Sequence, residues 1–211
     1  MTIKEFKFQY ALGSISYDAL KRIAKKSTSK DILTILSKDE DWPVRYRVAN
    51  NSSTPTELLT KLSEDKDWTV KYYVATNPNT PKKILIKLSN DKEDYIRRGV
   101  AENPNTPIEL LTKLSTDEND LVRTRVAGNK STLKKVLTKL SMDKVWYVKS
   151  HVARNSNTPI KVLINLSKDE DWRIRHCVTK NSKTPKKVLK TLFTDKVYYV
   201  RSGAKKGYYK V

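Results

Sequence analysis

Apolar residues fall along this chain in two alternating helical stripes. In residues 80–105 (TPKKILIKLSNDKEDYIRRGVAENPN), Ile84, Leu85 and Leu88 share one face of a short helix of about nine residues. A polar turn at 90–94 follows. A second short helix then carries Ile96, Val100 and Ala101 on one side. The first stripe repeats as Leu36, Leu62, Leu88, Leu114, Leu140, Leu166 and Leu192. The second repeats as Val44, Val70, Ile96, Val122, Val148, Ile174 and Val200, with a partner four residues on that is Val in six units and Ala204 in the last. The step is 26 residues throughout. Neither helix can bury its face alone, so the units must stack.

Punctuation keeps the same period. Thr54-Pro55, Thr80-Pro81, Thr106-Pro107, Thr158-Pro159 and Thr184-Pro185 open units, and Thr28 and Thr132 hold the place without proline. The threonine is expected to cap the new helix, with proline at its first position. An asparagine such as Asn103 is expected to close the second helix in a left-handed conformation. Both helices are short enough to be partly 3₁₀. The expected fold is therefore all-α, a right-handed α-solenoid of seven two-helix repeats: 28–53, 54–79, 80–105, 106–131, 132–157, 158–183 and 184–209. Residues 1–27, with Phe6, Phe8, Tyr10, Leu12, Tyr17, Leu20 and Ile23, read as a helical N-terminal cap. The last repeat, with Gly203, Lys205, Gly207 and Tyr208, reads as a C-terminal cap.

Two motifs resemble known families. Asp117…Val122-Arg123…Val126-Ala127 resembles the half-repeat of HEAT proteins. Asn103–Leu114, Asn-Pro-Asn-Thr-Pro-x-x-Leu-Leu-x-x-Leu, resembles the variant leucine-rich repeat of bacteria. The resemblance implies a two-layer helical solenoid over most of the chain, with the second helices lining a concave side. It also implies an Asp–Arg ladder between units, running here through Asp39, Asp65, Asp91, Asp117, Asp143, Asp169 and Asp195. Six residues after each stand Arg45, Lys71, Arg97, Arg123, Lys149, Arg175 and Arg201. Cation or phosphate binding by these rows is the alternative. An iron–sulfur domain described for the variant family does not transfer, because Cys177 is the sole cysteine. Trp42, Trp68, Trp146, Trp172 and Tyr198 share one repeat position and are expected to cover the seam between units, with base stacking as the alternative.

Charge changes the picture. The 211 residues hold 43 Lys+Arg against 23 Asp+Glu, a net charge of +20, which favours polyanionic partners. On a helical wheel the second helix leaves four rows facing away from the core: one position before the core Val, and two, three and six after it. These rows carry Tyr46, Arg47, Tyr72, Tyr73, Tyr95, Arg98, Arg125, Tyr147, His151, Arg154, Arg173, His176 and Lys180, and Glu102 is their one acid. Basic residues interleaved with tyrosine suit a phosphate backbone, and arginine can grip phosphate bidentately. The same residues mark protein–protein hot spots.

The reading is a non-catalytic protein that binds nucleic acid, duplex DNA favoured, through this face. A scaffold for an acidic protein segment is the alternative. A repair enzyme like the HEAT-like alkylpurine DNA glycosylases is a weaker one. His151, His176 and Cys177 match no catalytic motif, and no phosphate-cradling or metal-ligand spacing occurs. No cofactor, metal site or catalytic residue is expected. Lysines on the first helices (Lys61, Lys87, Lys113, Lys139) read as a solvated face. With no 18-residue apolar run, no membrane insertion is expected, and a monomeric, cytoplasmic, bacterial protein is the expectation.

Overall fold

A computed structural model describes residues 2–210, and among them all regular structure is helical. Two cap helices come first, α1 (Ile3–Ala11) and α2 (Tyr17–Lys26). Seven pairs follow: α3 (Lys30–Leu36) with α4 (Trp42–Ala49), α5 (Thr56–Leu62) with α6 (Trp68–Thr76), and α7 (Lys82–Leu88) with α8 (Asp94–Glu102). Then come α9 (Ile108–Leu114) with α10 (Asp120–Gly128), α11 (Lys134–Leu140) with α12 (Trp146–Arg154), α13 (Ile160–Leu166) with α14 (Trp172–Lys180), and α15 (Lys186–Thr191) with α16 (Tyr198–Lys210). The first helices have at most seven residues, two fewer than the apolar stripe suggested, and a single 3₁₀ turn follows α15 at Leu192–Thr194. The chain divides into two compact units, Met1–Asn105 and Thr106–Val211, with the division falling at a repeat boundary in the sequence.

Within each unit the second helices pack directly on one another, α2 on α4 on α6 on α8, and α10 on α12 on α14 on α16. Successive first helices do not pair in this way. The second-helix layer is therefore the tighter one in each unit. The Leu row is 0–6% exposed and the two second-helix rows are fully buried, so both apolar stripes are core. Phe6 is buried under the first repeat, and the Tyr10 hydroxyl donates to Asp39 at 2.6 Å. That bond and burial push the phenol well above its ordinary value. Phe8 and Leu12 are 67% and 65% exposed, so only part of the cap's apolar content is used for cover.

The repeat punctuation works differently from the expectation. In the five units that carry it, proline, not threonine, stands at the N-cap of the first helix, and its carbonyl accepts the first N–H groups, as Leu58 and Leu59 bond Pro55; Ser29 caps α3 and Leu133 takes the place at α11. The threonine is buried and turns backward. Its hydroxyl donates to the carbonyl of the core valine six residues earlier, as in Thr54–Val48, Thr80–Val74, Thr132–Val126, Thr158–Val152 and Thr184–Val178 at 2.5–2.6 Å. It thus adds a second donor to a helix-end carbonyl that already accepts the Asn N–H three residues on, as Val48 does from Asn51.

The asparagine is not left-handed. Asn103 has φ −61° and ψ 127°, and among the described residues no non-glycine takes positive φ. Its amide instead donates to two carbonyls of the preceding repeat, Ala75 and Asn77, both at 2.7 Å. Asn51, Asn77, Asn155 and Asn181 do the same, and each Oδ1 accepts the N–H two residues on. Every buried polar atom of this side chain is used, as a dry interior requires.

The Asp–Arg ladder forms as expected. Basic residues reach the aspartate 20 residues on: Arg45–Asp65, Arg123–Asp143, Lys149–Asp169 and Arg175–Asp195 at 2.7 Å, and Lys71–Asp91 at 2.9 Å, while Arg201, in the last unit, donates to the carbonyls of Asp195 and Lys196. The other carboxylate oxygen accepts a turn N–H, as Asp65 does from Asp67. The Arg175 guanidinium holds the Asp195 carboxyl below its ordinary range. Burial opposes the same shift at Asp143 and Asp91, but Arg123 and Lys71 and the local N–H groups outweigh it.

Candidate functional site

The four outward rows are less free than an isolated helical wheel implies. Each second helix has another second helix at its side, so the rows two and three after the core Val lie partly between neighbours. Gly99, Thr124, Ser150, Cys177 and Gly203 are buried there, and Tyr46, Arg47, Tyr72, Tyr73, Arg98, Arg125, His151 and His176 are half-buried. Gly99 marks a close approach in the N-terminal unit: a Cβ there would lie 3.0 Å from Ala75 Cβ and 3.1 Å from the Tyr72 ring. Tyr95, Arg154, Arg173 and Lys180 remain exposed, and Tyr147 is half-buried.

In the N-terminal unit these side chains join into one aromatic lattice. Ring centroids run Trp42–Tyr46 at 5.7 Å, Tyr46–Tyr73 at 4.7 Å and Tyr73–Tyr72 at 5.3 Å. The Arg98 guanidinium then bridges Tyr72 (5.7 Å) and Tyr95 (5.1 Å), and Tyr95 meets Trp68 at 5.2 Å. Arg47 lies over Tyr46 at 4.7 Å and donates to its hydroxyl and to the Pro43 carbonyl. Neither Arg47 nor Arg98 has a carboxylate at ion-pair distance among the described residues, and the buried Arg98 Nε has no hydrogen-bond partner. Their charges face rings instead. Trp68, Trp146 and Trp172 meet groups of the next repeat as expected, whereas Trp42 meets Tyr46 of its own helix, and Trp42 and Trp68 stay 42% and 47% exposed.

The cap extends this face, which the sequence reading missed. Asn77 bonds the carbonyls of Ala49 and Asn51, and Asn51 bonds those of Ala24 and Ser27. Ala24 is thus the counterpart of Ala49, a step of 25 residues rather than 26. Under that register Tyr17 stands in the tryptophan row, and Lys21, Arg22 and Lys25 continue the rows of Tyr46, Arg47 and Asn50. Asp18, Lys21, Arg22, Lys25 and Arg47 line an open cleft of about 560 Å³. Asp18 is taken by Lys21 at 2.6 Å, which leaves Arg22, Lys25 and Arg47 without a carboxylate partner among the described residues. The single-residue slip is why a strict 26-residue ruler does not find them.

In the C-terminal unit the corresponding groups are tied to their own neighbours. Arg173 pairs with Asp171 at 2.6 Å and lies over Trp146 at 3.8 Å. Tyr147, bonded to Asp120, has its phenol pushed up. The His151 Nδ1 meets the Tyr147 carbonyl at 2.9 Å, and the His176 Nδ1 meets that of Tyr199 at 2.8 Å. Burial pushes His176 below its ordinary value, with Lys180 and Arg154 adding to the shift. Arg154 Nε donates to the buried Cys177 sulfur at 3.2 Å, so Cys177 is a packed filler and not an open thiol. Lys180 stays exposed.

Charge is also unevenly divided. Residues 1–105 hold 19 Lys+Arg and 14 Asp+Glu, and residues 106–211 hold 24 and 9, so the net is +5 in one unit and +15 in the other. From residue 121 on, the acids are Asp143, Asp169, Glu170, Asp171 and Asp195. Three of these are ladder rungs and Asp171 holds Arg173.

Among the described residues no group of three or more His, Cys, Asp or Glu is placed to hold a metal ion, and no helix is long and apolar enough to cross a membrane.

Comparison with known proteins places the repeat. The family model described as leucine rich repeat variant matches residues 96–119, which include the Asn103–Leu114 motif. The solved structure titled a leucine-rich repeat variant with a novel repetitive protein structural motif is 25% identical, with TM-score 0.63, over 94% of this chain and 79% of its own. The YibA protein of Escherichia coli is 16% identical, with TM-score 0.53, over 100% of this chain and 98% of its own. No curated protein matches the sequence. The fold is a variant leucine-rich-repeat, HEAT-like α-solenoid, an architecture suited to binding and scaffolding.

Proposed function

We propose that this protein is a non-catalytic binder of nucleic acid, acting through its second-helix face and the continuation of that face on α2. One observation carries the reading. Arg22, Lys25, Arg47 and Arg98 have no carboxylate partner among the described residues, and two of these cations are set against tyrosine rings. The ladder aspartates neutralise a different set of cations and leave these available for phosphate. The large positive excess of residues 106–211 adds a long-range attraction for the same polyanion.

Binding should weaken steeply with salt, because each phosphate contact releases counterions. An electrophoretic shift with oligonucleotides at two salt concentrations tests this. Serine at Arg47 and Arg98 should reduce the salt slope by roughly 0.7–0.9 for each phosphate that goes unneutralised, while the melting temperature stays within a few degrees. No shift at low salt would sink the proposal. A pull-down that survives nuclease would point instead to an acidic protein partner.

A further inference from the structure

Resting on that reading, we infer that the ligand is single-stranded, with unpaired bases lying on the aromatic lattice of α4, α6 and α8 and phosphates entering the α2–α4 cleft. A duplex offers a protein its phosphates and base edges, while the faces of its bases are covered by their neighbours in the stack. Exposed flat rings have no use against such a surface. An unpaired base presents an open π-face that any aromatic side chain can take, without regard to sequence. The N-terminal unit is built for that second case. Trp42, Trp68 and Tyr95 are 42%, 47% and 45% exposed, yet each is held from behind by another ring, so their orientation is fixed before a ligand arrives. Ordering has therefore been met in folding and does not weaken binding.

The charges fit the same ligand. Arg98 sits between Tyr72 and Tyr95, and Arg47 sits over Tyr46, so cation and ring alternate along the face. Arg22, Lys25 and Arg47 gather at the α2 end, in a cleft whose one acid is already bound to Lys21. In the C-terminal unit the Trp146 face is covered by Arg173, while Trp172 and Tyr199 stack at 5.7 Å and stay exposed, a second pair of rings separate from the longer, guanidinium-bridged lattice of the N-terminal unit.

The test compares a dye-labelled 20-nucleotide oligodeoxythymidine with a 20-base-pair duplex by fluorescence anisotropy, using the full chain. The single strand is expected to bind at least tenfold more tightly. The double variant W42A/W68A should weaken single-strand binding by roughly tenfold or more and leave duplex binding unchanged. W42Y/W68Y, which keeps a ring at both positions, should retain most of the affinity, which separates stacking from loss of fold. The variant R22S/K25S should weaken the single strand and flatten its salt dependence. Equal or tighter binding of the duplex would overturn the inference and leave nucleic-acid binding intact. So would full affinity in W42A/W68A. If neither probe binds at low salt, or if polyglutamate displaces the oligonucleotide at equal charge, the nucleic-acid reading fails as well.

Discussion

The two units share one set of ladders and differ in what they put on the surface. In residues 1–105 the outward rows make a lattice of rings and unpaired guanidiniums. In residues 106–211 the same rows are occupied by groups that satisfy one another: Arg173 with Asp171 and Trp146, Arg154 with Cys177, His176 with a backbone carbonyl. The second unit holds most of the net positive charge; both units carry exposed aromatic rings, and in the first they are bridged by Arg98. Stacking fixes the positions at a seam and leaves the remainder free to diverge, so one frame supports an attracting region and a gripping one.

The largest expected effect tests whether the frames are equal. Removing the arginine of a buried rung, as in R45A or R175A, strands an aspartate and should cost about 3–5 kcal/mol in either unit by urea denaturation. The lysine rungs K71A and K149A should cost less, since their partners are more exposed and the ion pair rests on a single bond. Unequal losses at Arg45 and Arg175 would break the equivalence. Next, N77A and N155A each remove the side-chain donor to an alanine carbonyl (Ala49 or Ala127) and the acceptor of a turn N–H (Asn79 or Asn157), and should cost about 2–4 kcal/mol, again alike in the two units. A third substitution acts on the C-terminal unit alone. A Cβ at Gly207 would lie 2.8 Å from the Thr179 carbonyl oxygen, so G207A should force α16 from α14 and cost about 1–3 kcal/mol.

A smaller effect concerns acid. The Asp195 carboxyl is depressed in the folded state, so its stabilisation is complete above the unfolded value near 3.9. It fades as pH falls through the lower folded value. Thermal melting should therefore lose more stability below about pH 4 in the wild type than in D195N; equal losses would remove the rung from the acid response. The smallest effect separates attraction from grip. Glutamine at Lys183, Lys186 and Lys187 should leave stability within about 0.5 kcal/mol and slow oligonucleotide association at low salt, with little change at high salt. A loss of affinity that persists at high salt would put the ligand on the first-helix side.

Much of this was legible in the residues. The 26-residue step, both apolar stripes and the Asp–Arg ladder follow from spacing, because a stacked repeat must put the same contact at the same place in each unit. The directions of the turn side chains were not legible. Thr54 and Thr80 suit a helix N-cap by type, yet bond backward, to a valine carbonyl that takes the Asn N–H on one lone pair and the threonine hydroxyl on the other. Asn77 and Asn103 suit a left-handed cap by type, yet reach into the preceding repeat, where two carbonyls converge. The wheel placed Ser150, Thr124 and Cys177 outside since it treats a helix as if alone, while a second helix lies against that side.

The sequence by itself determined the architecture: the repeat, its core and its charged seam are periodic, and periodicity is visible in one dimension. Only the tertiary structure decided which side chains remain available. Availability depends on neighbours 20 to 30 residues away, where Asp65 takes Arg45 and Tyr73 leaves Arg47 beside Tyr46 without an acid. It also depends on the register of α2, whose one-residue slip brings Arg22 and Lys25 onto a face that the ruler had ended at Thr28.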